Sequence, residues 1–488
     1  MCESKGRQIL LPILSETVAE FSLELRREFE KRGFSTRIIP KDEFVLLPSG
    51  FQEDSEFVMG KYLSHAPKKD IHTLLEKYEI ASPRSFVFPQ VVYEHKDVGP
   101  HSTGIWSNEG HVYSPYVSLL HRSLDFFDQL YGEGQGGHVV QYQGGEILHR
   151  VLHRVALHHG YESVWVGFSP VEGDFSIFEN ESVEWDSFSD TELNLSPADA
   201  DRARDFLHEF RDSRAAIGAS GEESPNLSLI SRTISVTQRR LRRLIEFQGG
   251  KKALIRRFIS RRTRQIQTNL RAKYTVWRGL DESESHSLIT DSKYIFYPLQ
   301  YFRESRVTVR AQPFYDQAWL IEYLSRSLPA DHELVVKPHP QQLGSLPRQA
   351  IKAIAQYAEL IHPDVNSHDI IENSAAVVTL NNTVGYESLL YGKPVITLGD
   401  AFYDGAGYTH DVKNLSHLAE RINEAIQSGG LSDEEILEVA HRVLSGSHKG
   451  IWSDPTEDNV ERIAESLTEY LSQRLTESNN QLSGPQSR

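Results

Sequence analysis

The sequence predicts an α/β protein of two Rossmann-like domains, each on a parallel sheet, and three observations predict it. The chain opens strand-helix-strand, with an apolar run at 7–15 (RQILLPILS), an amphipathic stretch at 16–32 closed by Gly33, and a second apolar run at 34–40. A second such unit follows at 138–168. From Lys293 onward strands and helices alternate again, which in one sheet means parallel pairing.

The first unit lacks a G-x-G-x-x-G after its opening strand, so no dinucleotide site is expected there. In the second unit, the strand 138–142 leads through Gly144 and Gly145 to Glu146, at the amino end of a helix that runs to about His159. The glycines let backbone approach a ligand, and Glu146 would face a cleft; a plain tight turn whose glutamate complements the helix dipole would look the same. His149 and His153 are spaced i, i+4, but no carboxylate or cysteine pattern accompanies them, so no metal is expected. Ser196 and Pro197 start an acidic helix to about Ala216, and 218–225 (GASGEESP) reads as a linker.

Residues 232–273 carry fourteen Arg or Lys against one acid, Glu246, with Leu241, Leu244, Ile245, Leu254, Ile255, Phe258 and Ile259 interleaved. Two basic amphipathic helices joined at Gly249 and Gly250 are expected. They suit an anionic membrane surface or an anionic polymer, or a solvated hairpin that balances acidic surface elsewhere.

The remaining expected elements are strands at 293–298 and 333–336, helices at 317–327 and 347–358, and the unit 375–403. These divide the chain into a first domain (1–285, including the basic hairpin), a second domain (286–455), a helix crossing back (456–475) and a disordered polar tail (476–488).

Composition narrows the function classes. With 488 residues, 39% hydrophobic and 25% charged, the chain has the makings of a soluble globular protein of two domains. No apolar run approaches the ~18 residues of a membrane span, and the first residues lack a signal-peptide apolar region, so a cytoplasmic protein is expected, peripheral to a membrane at most. The lone Cys2 excludes an intrachain disulfide framework and a cysteine zinc site. A net charge of -16 argues against nucleic acid as partner.

Three stretches concentrate polar chemistry at strand ends. In 379–403 (TLNNTVGYESLLYGKPVITLGDAFY) a buried strand is followed by Asn381, Asn382, Thr383, Val384 and Gly385, then a short helix ended by Gly392 and Pro394. Amide N–H groups and the positive end of the helix dipole make that loop a phosphate site, with Glu387 one turn on; simple helix capping by Asn382 or Thr383 fits the same residues. After the strand at 333–336 comes Lys337, Pro338, His339 and Pro340, where prolines stiffen the loop, His339 can donate a hydrogen bond or a proton, and Lys337 offers a charge. The third stretch, 297–305 (YPLQYFRES), brings Gln300 and Glu304 to the same sheet edge.

YPLQYFRES, VVKPHP and TLNNTVGYESLLYGKPVITLGDAFY, in that order, resemble the capsule-polysaccharide biosynthesis family, which includes Kdo transferases. QYQGGEILHRVL and Gly173-Asp174-Phe175 are similar to that family's less distinct amino-terminal motifs. The resemblance covers roughly 138–412 and implies a GT-B-like architecture: two Rossmann-like domains facing a cleft, a nucleotide-sugar donor on the second, a glycan or glycolipid acceptor on the first, and no metal or other cofactor. It places His339, Asn382, Thr383 and Glu387 at the donor, with Gln300 where a histidine is common and Asn382 where a serine is common. The implied activity is sugar transfer to a capsule-type polysaccharide or glycolipid, with Glu146 and then Asp174 as candidate bases. A nucleotide-sugar epimerase, a polyol-phosphate transferase and a non-catalytic glycan- or membrane-binding assembly protein are the other classes the residues allow.

Overall fold

The computed structural model describes residues 8–13, 18–40, 63, 65–94, 112–132, 136–181, 183–189, 195–215, 268–339 and 342–483. In the first domain, β1 (Gln8–Ile13), β2 (Ser35–Pro40), β3 (His138–Tyr142) and β4 (Glu162–Phe168) pair in parallel in the order β4-β3-β1-β2. β5 (Asp174–Phe178) adds antiparallel to β4. Side-chain alternation splits the strands between two helical layers. Leu10 and Val139 pack with Leu124, Phe127 and Val151 of the helices Ser114–Gly132 and Ile147–His158, whereas Ile9, Leu11 and Val140 face Phe21 of the helix Ala19–Lys31.

The second sheet is parallel throughout: β6 (Tyr294–Pro298), β7 (Glu333–Lys337), β8 (Glu359–Leu360), β9 (Ala376–Thr379), β10 (Val395–Thr397) and β11 (His410–Asp411), in the order β11-β10-β9-β6-β7-β8. β6 lies centrally and is buried along its whole length, as its apolar sequence YIFYP requires. The strand order reverses between β6 and β9, and at such a point a parallel sheet opens a crevice at its carboxyl edge. The first sheet has its own reversal between β1 and β3, directly below Gly144 and Gly145.

The chain returns to the first domain earlier than the 456–475 helix expected to carry it. β12 (Ser447–Lys449) already pairs antiparallel with β5, and the helix Glu457–Ser483 then packs Ile463 and Leu467 beside Phe21. That helix also runs to Ser483, past the 475 end read from the sequence. The helix Asp433–Ser445 mediates the return because its apolar face is shared: Val439 and Val443 pack in one cluster with Trp185, Leu207 and Phe210 from the first half and Tyr386 and Leu389 from the second. The acidic helix, Pro197–Ser213, docks on the second domain, where Arg211 donates to the Leu390 carbonyl at 2.6 Å. Gly279 and Leu280 already lie against the second sheet, the Leu280 N–H bonding the Leu360 carbonyl at 2.9 Å. Of the basic hairpin, residues 232–267 lie outside the described residues; 268–278 are helical and place Tyr274 under the Arg348 guanidinium.

The two domains face each other, with the carboxyl edges of both sheets toward a common cleft. The Ser85 hydroxyl donates to Gln312 Oε1 at 2.6 Å, Phe88 meets Tyr315 edge-on, and Arg306 lies over the Phe168 ring. Gly145 sits at the closest approach, where an added Cβ would stand 3.2 Å from Ser305 Cβ and 3.3 Å from Val309 Cγ2. Branched bulk there must displace second-domain atoms. Gly145→Val is therefore expected to lower urea-unfolding stability by about 1–3 kcal/mol, the usual cost of overpacking, with Gly145→Ala costing less.

Candidate functional site

The second domain's wall of the cleft is built from the loops after β6, β7 and β9. Gln300, expected to touch a donor, is instead 1% exposed and holds two loops together. Its Nε2 donates to Asn381 Oδ1 at 2.9 Å, while Gln317 fixes it from below, accepting from its N–H at 2.8 Å and donating to its carbonyl at 2.7 Å. Asn381 passes the restraint on by donating to the Arg306 carbonyl at 2.9 Å. Sequence reasoning gave Asn381 no role; its signal was its place between a buried strand and a capping asparagine.

Asn382 is the N-cap of the helix Thr383–Leu390, its Oδ1 accepting from the Gly385 N–H at 3.3 Å and from the Thr379 hydroxyl at 2.8 Å. The capping role of its side chain is thus real, and Asn382 is itself buried. Thr383 and Val384 stay partly exposed at the first turn, where helix geometry leaves amide N–H groups without intrahelical acceptors. Gly385 is demanded by Tyr403, whose buried hydroxyl donates to the Asn382 carbonyl at 2.7 Å and would lie 2.1 Å from a Cβ at position 385. Glu387, expected at the donor, is instead 1% exposed, and its charge acts on Lys337.

Lys337 points toward the same interior. Its Nζ donates to the Ser367 hydroxyl at 2.9 Å, and burial pushes its pKa down to about 8 against the pull of Glu387, Asp364 and Asp369. His339 is turned to the cleft side and stacks on Tyr301 with ring centroids 6.3 Å apart. Burial holds it below the ordinary histidine value, with Glu304 opposing, so it is neutral at pH 7. Glu304 caps the short helix Ser305–Thr308 by position, without a side-chain capping bond.

Across the cleft, Glu146 is exposed at the N-cap of Ile147–His158 and has no side-chain capping bond. Its carboxylate folds over Gly144, where a Cβ would be 2.2 Å from Oε2. Asp174 also reaches the carboxyl edge, because β5 runs antiparallel, but its carboxylate pairs with Lys449 at 2.9 Å and its side chain is only 2% exposed. His149 and His153 are core residues, their Nδ1 atoms bonded to Gln141 and Ser163. Among the described residues no group of three His, Cys, Asp or Glu is placed to hold a metal ion.

The site thus brings together His339, Glu304, Thr383 and Val384 with Glu146 opposite, and sets Gln300, Asn382, Lys337 and Glu387 behind them. Comparison with known proteins agrees with the motifs. Residues 257–443 match the family model described as capsule polysaccharide biosynthesis protein. This segment is similar to that family. The chain is 30% identical over 127 residues to the capsule polysaccharide modification protein LipB of Neisseria meningitidis serogroup A, an alignment covering 24% of this chain and 30% of the relative. It is 30% identical over 129 residues to the capsule polysaccharide export protein KpsS of Escherichia coli, covering 25% and 33%. The alignments span about a third of these relatives' length. Among solved structures, Thermosulfurimonas dismutans KpsC, a beta Kdo 2,7 transferase, is similar at 15% identity and TM-score 0.38 over 70% of this chain and 88% of that one.

The tight packing at the loop after β9 can be tested directly. Gly385→Ala should cost about 1–3 kcal/mol in denaturant unfolding because Tyr403 must leave its hydrogen bond, and adding Tyr403→Phe should recover part of the loss.

Proposed function

We propose that the protein is a glycosyltransferase that moves a sugar from a nucleotide-sugar donor on the second domain to a capsule-type polysaccharide or glycolipid acceptor on the first. The observation that supports this best is the convergence of three polar loops, after β6, β7 and β9, at the reversal of the second sheet, opposite an exposed carboxylate at the reversal of the first. The donor's phosphates would take the Thr383 and Val384 amides and a hydrogen bond from neutral His339, with the Lys337 charge behind. Tyr301 offers a ring face beside His339 for stacking. Glu146 would accept the acceptor hydroxyl's proton as that oxygen attacks the anomeric carbon and the bond to the phosphate oxygen breaks, the electron pair leaving with the nucleotide. Asp174, already paired with Lys449, is the weaker candidate base.

A thermal-shift series against UDP-, GDP-, CMP- and CDP-sugars tests the donor site. At about a hundred times the dissociation constant, one nucleotide class should stabilise the protein by roughly 2.7 kcal/mol, and Thr383→Ala and His339→Ala should each reduce that shift. Glu146→Gln should keep the shift while lowering kcat by ~10²–10⁴; full turnover in that variant would remove Glu146 from the chemistry.

Lys337 sets a pH signature. An anion bound nearby raises the lysine's pKa above about 8, so binding takes up a proton and nucleotide affinity should fall as pH climbs past about 8, a trend Lys337→Met flattens. The folding contribution has the opposite sign: with its folded pKa depressed, the unfolded chain binds more protons above about pH 8, and stability from this group rises with pH until the unfolded lysine also titrates.

A further inference from the structure

Between the domains, next to the candidate donor loop, lies an open cavity walled by Gln143, Gly144, Trp165 and Asn180 on one side and by Ser305 and Arg310 on the other. The Nη2 atom of Arg310 is sealed from solvent and meets no hydrogen-bond acceptor among the described residues. Arg306, one helical turn earlier, adds a second positive charge; of the nearby carboxylates, Asp400 pairs with Lys413 at 3.2 Å and Glu304 also acts on His339. On the opposite wall, Arg150 and Glu181 neutralise each other at 2.9 Å. On that wall Glu181 is thus already paired, while the exposed Glu146 carboxylate lies over Gly144.

A guanidinium held in such a place is costly unless something completes its hydrogen bonds. Burial together with Arg306 pushes its pKa down to about 9. We propose that Arg310, supported by Arg306, forms an oxyanion subsite in the interdomain cavity, filled by a phosphate or carboxylate group of a ligand that spans both domains. The planar fork of the guanidinium suits two oxygens of one such group. Asn180 and Gln143 are amides able to donate to the same group from the first domain. A ligand held this way would tie the domains together. The subsite rests on the transferase reading only for the ligand's identity, because its anion chemistry follows from the arginine and the cavity alone.

Melting of the full chain in inorganic phosphate or sodium acetate, each against sodium chloride at equal ionic strength, tests the subsite. Wild type should be stabilised beyond the chloride control; phosphate alone would assign a phosphate group, and acetate, alone or as well, a carboxylate. Arg310→Gln should weaken that binding about tenfold or more, Arg310→Lys less, and Arg310→Gln should melt no lower than wild type in chloride, since it removes an uncompensated charge. Equal anion shifts in wild type and Arg310→Gln, no shift in wild type, or loss of a cooperative melt in Arg310→Gln would each overturn the proposal. Thr383→Ala separates the neighbouring site: an Arg310-dependent shift that survives it, in a protein that binds no nucleotide sugar, would keep the subsite and reject the donor reading. Nucleotide-sugar binding without any Arg310-dependent anion shift would do the reverse.

Discussion

The hydrogen bond from Gln300 to Asn381 joins the two strand ends between which the second sheet reverses, and the cleft wall depends on it. Parallel strands on either side of a reversal send their chains away in opposite directions, so nothing in the ladder itself holds their following loops together. Here two amide side chains do so, inside the protein, where neither competes with water. Gln317 fixes the first loop at both its N–H and its carbonyl, and Asn381 extends the restraint to the helix that carries Arg306. Residues that looked like ligands thus set the positions of those that can reach one.

The same division of labour holds across the cleft. Trp185 stacks on Phe402 with centroids 4.7 Å apart, and Val439 and Val443 complete a core that neither half could bury alone. Such a shared core holds the sheet edges in register, and the cleft then needs only small residues at the point of closest approach. Gly145 meets that need against Ser305 and Val309. Because apolar contact supplies the adhesion, the cleft lining is left to polar and charged groups.

The parallel strands of both sheets, their alternation with helices and the loop that follows β9 were legible in the sequence, because buried strands and their terminating loops leave local patterns; the antiparallel β5 and β12 of the first sheet were not. The exposure of individual polar residues was not. Gln300 and Glu387 have ligand-like side chains, one just past a strand end and one in the helix after a loop, yet their surroundings are set by Asn381, Gln317 and Lys337, which lie far outside the local sequence pattern. Asp174 was named as a candidate base, and its partner Lys449 comes from a strand that returns from the far end of the chain. The route of that return was misread because the apolar face of 433–445 identifies a buried helix without saying that two domains share it. Arg306 and Arg310 left a trace, arginines at helical spacing after a strand-end motif, but only the cavity gives that spacing a meaning.

The cations around the cleft differ in how their burial is compensated, and the difference is chemical. Lys337 has the Ser367 hydroxyl and the Glu387 charge, and it can also shed its proton as its pKa falls toward 8. Lys413, more exposed, pairs with Asp400. A guanidinium starts from a far higher pKa, so even with burial pushing Arg310 down to about 9 it carries its charge into the fold at neutral pH. The fold therefore already holds a partly buried positive charge, one guanidinium nitrogen sealed from solvent, at the interdomain cavity. A group that arrives with negative oxygens meets that charge without first reorganising the site, and this is the condition under which an electrostatic contact is strongest.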